Sequence, residues 1–407
     1  MKYTISVLKC IGLFLLVAVN FNKLSAQNTV TFDSTVLDRI NALENAVNSN
    51  KPGNDHFMVV GLTTFGFTSS SNNNTINGVS TITKANSLAD ANHYEFSPMF
   101  LWRHGKKFLM EFEPSFSNNG LGVNWADISY FAAPNLILRA GYFVLPFGTY
   151  AKREAAGWID KLGTDPMGIT ALPSTDYGVE AEGGLALGSM KMNYDVALTN
   201  GMQLNADGTL AGGNIVDNNN NRTVTARLGL LPFSNSSLEL GVSGMFGKIG
   251  TPGTNTDGAT GKMYALDLNY VKQVNSVLVN IKGQYNIMNV SDVNYVNPLD
   301  ATKTYTFTNN STAGFIQCSL RPTGVDNFLK NFEVAGRYTS YNTPSNSTWG
   351  ANQHTVTLGL DYWLSWRTVV KATYDTYQGT STASQALNAY TGLTTTNTFS
   401  LQVSIQL

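Results

Sequence analysis

Long apolar runs are what this sequence most plainly lacks. After residue 26 nothing approaches the roughly 18 apolar residues that a membrane-spanning helix needs, which excludes a helical bundle in a bilayer. Charge is scarce as well. Asp, Glu, Lys and Arg make up 13% of the chain and the formal net charge is −1, whereas about a quarter of a typical soluble domain is charged. A near-neutral chain has no electrostatic footprint for nucleic acid, so that partner is excluded. Cysteine is nearly absent, with two in 407 residues. Cys10 falls in the N-terminal leader and outside any lipoprotein-type cleavage box. Cys318 is then alone, can form no internal disulfide, and reads as a structural free thiol. The four histidines are His56, His93, His104 and His354, and none is paired with a Gly-x-Ser-x-Gly elbow. No metal-ligand cluster and no phosphate-cradling glycine loop is visible. These absences predict a protein that is not an enzyme and needs no cofactor or metal.

What is present points to export and to strands. Lys2 and Lys9, the apolar segment 11–19 and Leu24-Ser25-Ala26 before Gln27 have the order of a cleavable secretory signal, residues 1–26. Residues 27–55 form an N-terminal segment outside the main domain. Within it, 33–48 carries Val36, Ile40, Leu43 and Val47 at helical spacing and predicts one short amphipathic helix. Such a helix is marginal alone and packs either on a copy of itself or on the main domain. From residue 56 to 407 the pattern changes to a period of two, which places alternate side chains on opposite faces of a strand. In 396–407, Phe399, Leu401, Val403, Ile405 and Leu407 alternate with Ser400, Gln402, Ser404 and Gln406. Sixteen such segments can be marked, near 56–68, 92–103, 106–117, 122–132, 135–146, 176–187, 189–200, 222–233, 236–247, 261–273, 276–289, 313–322, 328–341, 353–364, 366–378 and 396–407.

The connections discriminate between a soluble sandwich and a membrane barrel. Those after the even-numbered segments are short, while those after the odd-numbered ones are long and rich in Asn, Thr, Ser and Gly, apart from a short one after the third. An even strand count with alternating short and long connections is the pattern of an outer-membrane barrel. The fold class expected is all-β: a transmembrane antiparallel up-and-down β-barrel of 16 strands over 56–407, preceded by the short helix. Its partners are outer-membrane lipid and small polar solutes, its location is the outer membrane of a Gram-negative bacterium, and its termini are periplasmic. Aromatic residues towards strand ends, such as Tyr94, Phe96, Phe246, Tyr338 and Tyr374, suit the two membrane interfaces.

If the apolar alternates face lipid, the others line the lumen, and many of those are charged. The acidic ones are Glu95, Glu111, Glu113, Asp127, Glu180, Glu182, Asp195, Asp267, Glu333, Asp361 and Asp375, with Glu239 beside them. The basic ones are Arg103, Arg139, Lys191, Arg227, Lys282, Arg337 and Lys371. Charges inside a barrel must be hydrated or cross-paired, because an unpaired charge in a dry interior costs several kcal/mol. The longest connection, 147–175, combines length, apolar residues to pack on a wall and charges to face a solute. It is expected to turn into the lumen and narrow it; an ordinary surface loop is the alternative. Lys152, Arg153, Glu154, Trp158, Asp160 and Lys161, with the wall residues Arg103, Glu111, Asp127 and Arg139, form the predicted constriction. The connections 69–91, 201–221, 248–260, 290–312, 342–352 and 379–395 read as exposed surface.

The segment 96–116 (FSPMFLWRHGKKFLMEFEPSF) and the segment 127–162, which contains an R-x-G-x-F-x-x-P-F-G run from Arg139 to Gly148, resemble the family of porins that includes the phosphate-selective O/P type. The resemblance implies a 16-stranded outer-membrane channel that is often trimeric. It does not carry phosphate selectivity over, since the lumenal positions hold more acids than bases. The terminal Leu407 departs from the usual aromatic end of such barrels. The function expected is passive diffusion of small hydrophilic solutes. The alternatives are a structural or adhesive barrel without conductance and an outer-membrane enzyme.

Overall fold

Sixteen strands, each antiparallel to the next, run in chain order around one closed sheet. They are β1 (Asp55–Ile76), β2 (Tyr94–His104), β3 (Phe108–Ser117), β4 (Gly120–Ala133), β5 (Leu136–Val144), β6 (Thr175–Leu187), β7 (Met190–Thr199), β8 (Thr223–Leu231), β9 (Leu238–Lys248), β10 (Thr260–Val274), β11 (Val277–Val290), β12 (Asn310–Arg321), β13 (Phe332–Asn342), β14 (Ala351–Ser365), β15 (Thr368–Ser381) and β16 (Gly392–Gln406). This computed structural model describes residues 55–407 except 77, 89–93, 118–119, 173, 214–216, 218, 327 and 385–391. The leader at 1–26 and the helix expected at 33–48 lie outside the described residues. All sixteen segments read from the alternation are strands.

Closure comes from the first and last strands. β1 pairs with β2 from Asp55↔His104 to Phe65↔Tyr94 and with β16 from Leu62↔Gln406 to Ile76↔Gly392. The Leu407 amide donates to the Gly61 carbonyl at 2.9 Å, so backbone pairing continues to the last residue. A closed ladder is what lipid demands, because hydrocarbon offers no partner for an unpaired backbone amide. Alternation sets the two faces. Along β14, Val356, Leu358 and Leu360 are exposed outside while Thr357 and Asp361 are buried inside, and β16 repeats this with Leu401 against Gln402 and Ser404. Cys318 belongs to the outward row of β12, between Ile316 and Leu320.

The connections fall into two classes, as the sequence predicted. At the end that holds Asp55 and Gln406 most are turns of a few residues, such as 134–135, 188–189, 275–276 and 366–367, with a longer one at 322–331 that includes the 3-10 turn Phe328–Asn331. At the other end lie the long ones. Three of these contain paired strands, and the last two of the three depart from the exposed surface expected of them. Within 69–91, β1 continues to Ile76 and pairs with a strand at Val79–Leu88, from Phe67↔Leu88 to Ile76↔Val79, so the segment is largely a hairpin. Within 201–221, Gln203–Leu204 pairs with Leu210–Ala211. Within 290–312, Tyr295–Asn297 pairs with Asp300–Tyr305. The last two carry buried apolar side chains: Met202, Leu204, Tyr295 and Phe307 join Ile249, Met245, Met263 and Met288 in one cluster. These scattered apolar residues gain roughly 1.5–3 kcal/mol each when fully buried, which favours folding such loops inward over leaving them in water.

Candidate functional site: a loop docked across the barrel interior

Between β5 and β6, residues 145–174 leave the wall and cross the interior. The R-x-G-x-F-x-x-P-F-G run performs the turn. Gly141 has φ +142° and faces Asp127 across the ladder; a Cβ there would strike the Ala126 carbonyl. Phe143 is fully buried and Phe147 nearly so. Gly148 has φ +67°, and a Cβ on it would occupy the space of the Gln284 side-chain amide. That amide is needed where it is: its oxygen accepts from the backbone N–H of Thr149 at 3.0 Å and of Tyr150 at 3.1 Å. The Gly148 N–H donates to Ser243 Oγ at 3.0 Å. Glycine therefore supplies both the left-handed backbone and the close approach that aim the loop inward. One π-helical turn follows at Tyr150–Glu154.

Ion pairs hold the near side of the loop. Lys152 Nζ lies 2.8 Å from Glu180, 2.8 Å from Glu182 and 3.6 Å from Asp195. Arg139 joins the same group, 2.6 Å from Glu180, 3.1 Å from Glu182, 3.4 Å from Asp127 and 3.9 Å from Glu111. Arg153 reaches Glu239 at 2.9 Å, and Arg227 ties Glu239 (3.0 Å) to Asp267 (2.6 Å). Charge-assisted hydrogen bonds of this length are about twice as strong as neutral ones. Glu180, Glu182 and Asp195 also have the spacing of a metal group, with ligand atoms within 4.8 Å of one another. The Lys152 ammonium already sits among them and supplies their positive partner.

The far side of the loop is held chiefly through its backbone. Lys371 Nζ donates to the carbonyls of Gly157 (2.8 Å), Leu162 (3.1 Å) and Asp160 (3.4 Å). Lys282 Nζ donates to the Ile159 carbonyl at 3.3 Å, and the Gly163 N–H donates to Thr373 Oγ1 at 3.0 Å. The Asp160 carboxylate accepts from Tyr150 (2.9 Å), Gln317 (3.1 Å) and Arg337 (3.4 Å). Arg337 also donates to the Thr164 carbonyl. Lys161 lies 3.8 Å from Glu333 and 4.7 Å from the centroid of Trp363, whose Nε1 donates to Glu333 at 2.9 Å. Burial pulls the Lys161 ammonium below its usual range, with Glu333 opposing that shift. Glu154 is buried beneath the loop and accepts from Thr149 Oγ1 at 3.2 Å. Burial pushes its carboxyl up to about 7, against the pull of Lys282.

The predicted site residues thus separate into groups. Lys152, Glu111, Asp127 and Arg139 meet on the β3–β7 wall. Arg153 docks on β9, while Asp160 and Lys161 dock on β12 and β13. Glu154 is under the loop and Trp158 is half-buried on it. Arg103 is not with them: it stands exposed at the short-turn end, its guanidinium 5.9 Å from the Phe131 ring. The nominated residues omitted most of what holds the loop. Gln284, Lys282, Arg337, Lys371 and Thr373 are inward-facing positions by alternation alone, but nothing local marks them as partners of residues more than a hundred positions away.

Coverage is uneven around the wall. Inward side chains from β8 to β16, including Thr225, Ser243, Gln317, Thr357, Lys371 and Ser404, are almost fully buried. On β2 and β3, Glu95, Glu111 and Glu113 remain half-buried. No protein-family profile and no curated protein sequence matches this chain. Solved structures with the same barrel do exist. An anion-selective porin from Comamonas acidovorans is 11% identical, covers 87% of this chain and 100% of its own, with a TM-score of 0.54. The outer-membrane channel DcaP of Acinetobacter baumannii is 11% identical over 88% of this chain and 99% of its own, TM-score 0.53. Salmonella typhi OmpF, in complex with daunomycin, is 12% identical over 85% and 97%, TM-score 0.50. At these identities the likeness is one of fold: a porin-like 16-stranded barrel.

Proposed function

We propose that this chain is an outer-membrane porin of a Gram-negative bacterium, a passive conduit for small hydrophilic solutes. The observation that carries this reading is the charged loop docked across a closed sixteen-stranded barrel whose outer face is apolar. A barrel of this strand number is wide enough for an aqueous lumen, and a loop held by ion pairs on both sides restricts it without closing the wall. Lys152, Arg153, Glu154, Trp158, Asp160 and Lys161 form the inner side of the constriction, and Glu111, Asp127 and Arg139 face it. Arg103 lies at the mouth on the short-turn side. The short turns and both chain ends face the periplasm, following removal of residues 1–26, and the long connections face outward. The working unit is a homo-oligomer, a trimer by resemblance to the O/P-type porins, whose Arg139–Gly148 run this chain shares. No covalent chemistry is assigned.

Planar-bilayer recording of the purified, folded protein tests the reading. Discrete conductance steps are expected, and deletion of 152–162 should enlarge them. Folded barrels that carry no current would instead support a structural or adhesive barrel, the second reading, which the dense coverage of the β8–β16 wall favours. Folding is scored independently by a shift in gel mobility on boiling.

A further inference from the structure

The lumenal charges are partitioned, and the partition bears on which ions pass. Of the inward-facing bases from β8 to β16, four hold the loop or a neighbouring carboxylate: Arg227 with Asp267, Lys282 and Lys371 with loop carbonyls, Arg337 with Asp160; Arg321, at the short-turn end, donates to the Lys330 carbonyl instead. On the β2–β7 wall the balance is reversed. Of seven carboxylates there, Glu111, Asp127, Glu180, Glu182 and Asp195 share Arg139 and the loop's Lys152, and Glu95 and Glu113 pair with neither; the wall's other two bases stand apart, Arg103 at the mouth and Lys191 donating to Ser236.

Glu95 and Glu113 have only neutral donors. Glu95 accepts from Ser97, Ser115 (3.1 Å) and Asn124 (3.1 Å), and Glu113 accepts from Asn124 at 3.0 Å. No cation of the chain lies in ion-pair range of either among the described residues. Two deeper members, Asp127 at 3% and Asp195 at 4% exposed, each keep one carboxylate oxygen without a hydrogen-bond partner. Each faces a cation through its other oxygen, Asp127 with Arg139 at 3.4 Å and Asp195 with Lys152 at 3.6 Å, so one acceptor on each is left open. Within this wall Glu95, Glu111 and Glu113 on β2 and β3 are left half-buried, within reach of water and solutes.

We infer that the passage between the loop and the β2–β5 wall prefers cations, with Glu95 and Glu113 as its selectivity residues. The inference rests on the porin reading above and names the solute class for it. It also separates this chain from the anion-selective porin that shares its fold, because the sign of the wall, not the barrel, decides the ion. A local potential of about −1 kT per unit charge enriches monovalent cations about 2.7-fold and depletes anions equally, a permeability ratio of about 7. The preference should fall at high ionic strength, where the screening length shrinks to about 3 Å at 1 M salt.

The test is the reversal potential of single channels in a KCl gradient. Wild type should favour potassium over chloride by about 7-fold, and the double variant E95Q/E113Q should move the ratio most of the way to unity with conductance retained. The amides keep the hydrogen-bonding shape, and the gel-mobility shift reports whether the variant folds. K84Q, on the exposed Val79–Leu88 strand, should leave the ratio unchanged. A wild-type channel that favours chloride or shows no preference overturns the inference while the porin reading stands. An unmoved ratio in a folded, conducting E95Q/E113Q overturns the assignment to these residues. Folded barrels that carry no current overturn both.

Discussion

Replacing Lys371 by methionine keeps the length of the side chain and removes one charge from beneath the loop. Lys371 is 2% exposed and its ammonium donates to the carbonyls of Gly157, Asp160 and Leu162, while Asp361 lies opposite it across the β14–β15 ladder. Hydrogen bonds from a charged donor contribute about 1.5–3 kcal/mol each, but three on one ammonium are not additive. Burying the ammonium costs part of that gain. Against this, its loss strands three loop carbonyls, and each buried acceptor left without a partner costs about 1–3 kcal/mol. Taking about 3 kcal/mol, the opening equilibrium of the loop should rise by about 150-fold. The barrel itself should remain folded, since its own ladder is untouched. Hydrogen exchange of peptides spanning 156–165, read by mass spectrometry on folded protein in detergent, measures this directly. Exchange within about threefold of wild type, in a variant that still shifts on boiling, would refute the claim that Lys371 anchors the loop.

Two other outcomes follow from the same geometry. Gly148→Ala places a methyl group on the Gln284 amide at a left-handed backbone position; it should cost about 1–3 kcal/mol and appear as lost protection at Thr149 and Tyr150 with the barrel intact. Glu154 gives the docked loop a pH dependence. Its carboxyl is raised to about 7 from an ordinary 4.5, so the docked state is favoured fully below about pH 4.5 and loses stability as pH rises through 7, by about 3 kcal/mol once ionised. Exchange protection of the loop, corrected for intrinsic rate, should therefore be greater at pH 5 than at pH 9. Glu154→Gln should flatten that difference, and a profile unchanged by the substitution would remove Glu154 as its source.

How much could be read from the chain depended on how local the signal was. Strand alternation is a property of consecutive residues, so Val356 to Leu364 or Phe399 to Leu407 declares its faces without reference to anything else. Turn residues and connection lengths are equally local, and together they determined sixteen strands, a lipid-facing and a lumenal set, and two ends of different character. The pairing of the last strand with the first followed from one physical requirement, that no edge be left open in hydrocarbon. The length and mixed composition of 147–175 even singled out the segment that leaves the wall.

Tertiary structure decided the rest, because the deciding contacts join residues with no periodic relation. Lys371 meets carbonyls more than two hundred positions away, and Gln284 meets amides at 149 and 150. Register alone placed Arg139 beside Glu180 and Glu182 (Arg139↔Glu180, Ile137↔Glu182), and left Arg103 at the mouth. The Asn- and Thr-rich loops at 201–213 and 290–309 looked like surface because their few apolar residues are scattered along the chain. Only in three dimensions do Met202, Leu204, Tyr295 and Phe307 meet Ile249 and Met263 and leave water together. The strands were written in the period of the sequence. The path of the loop, the wall it covers and the wall it leaves open depend on distances across the lumen that no local pattern encodes.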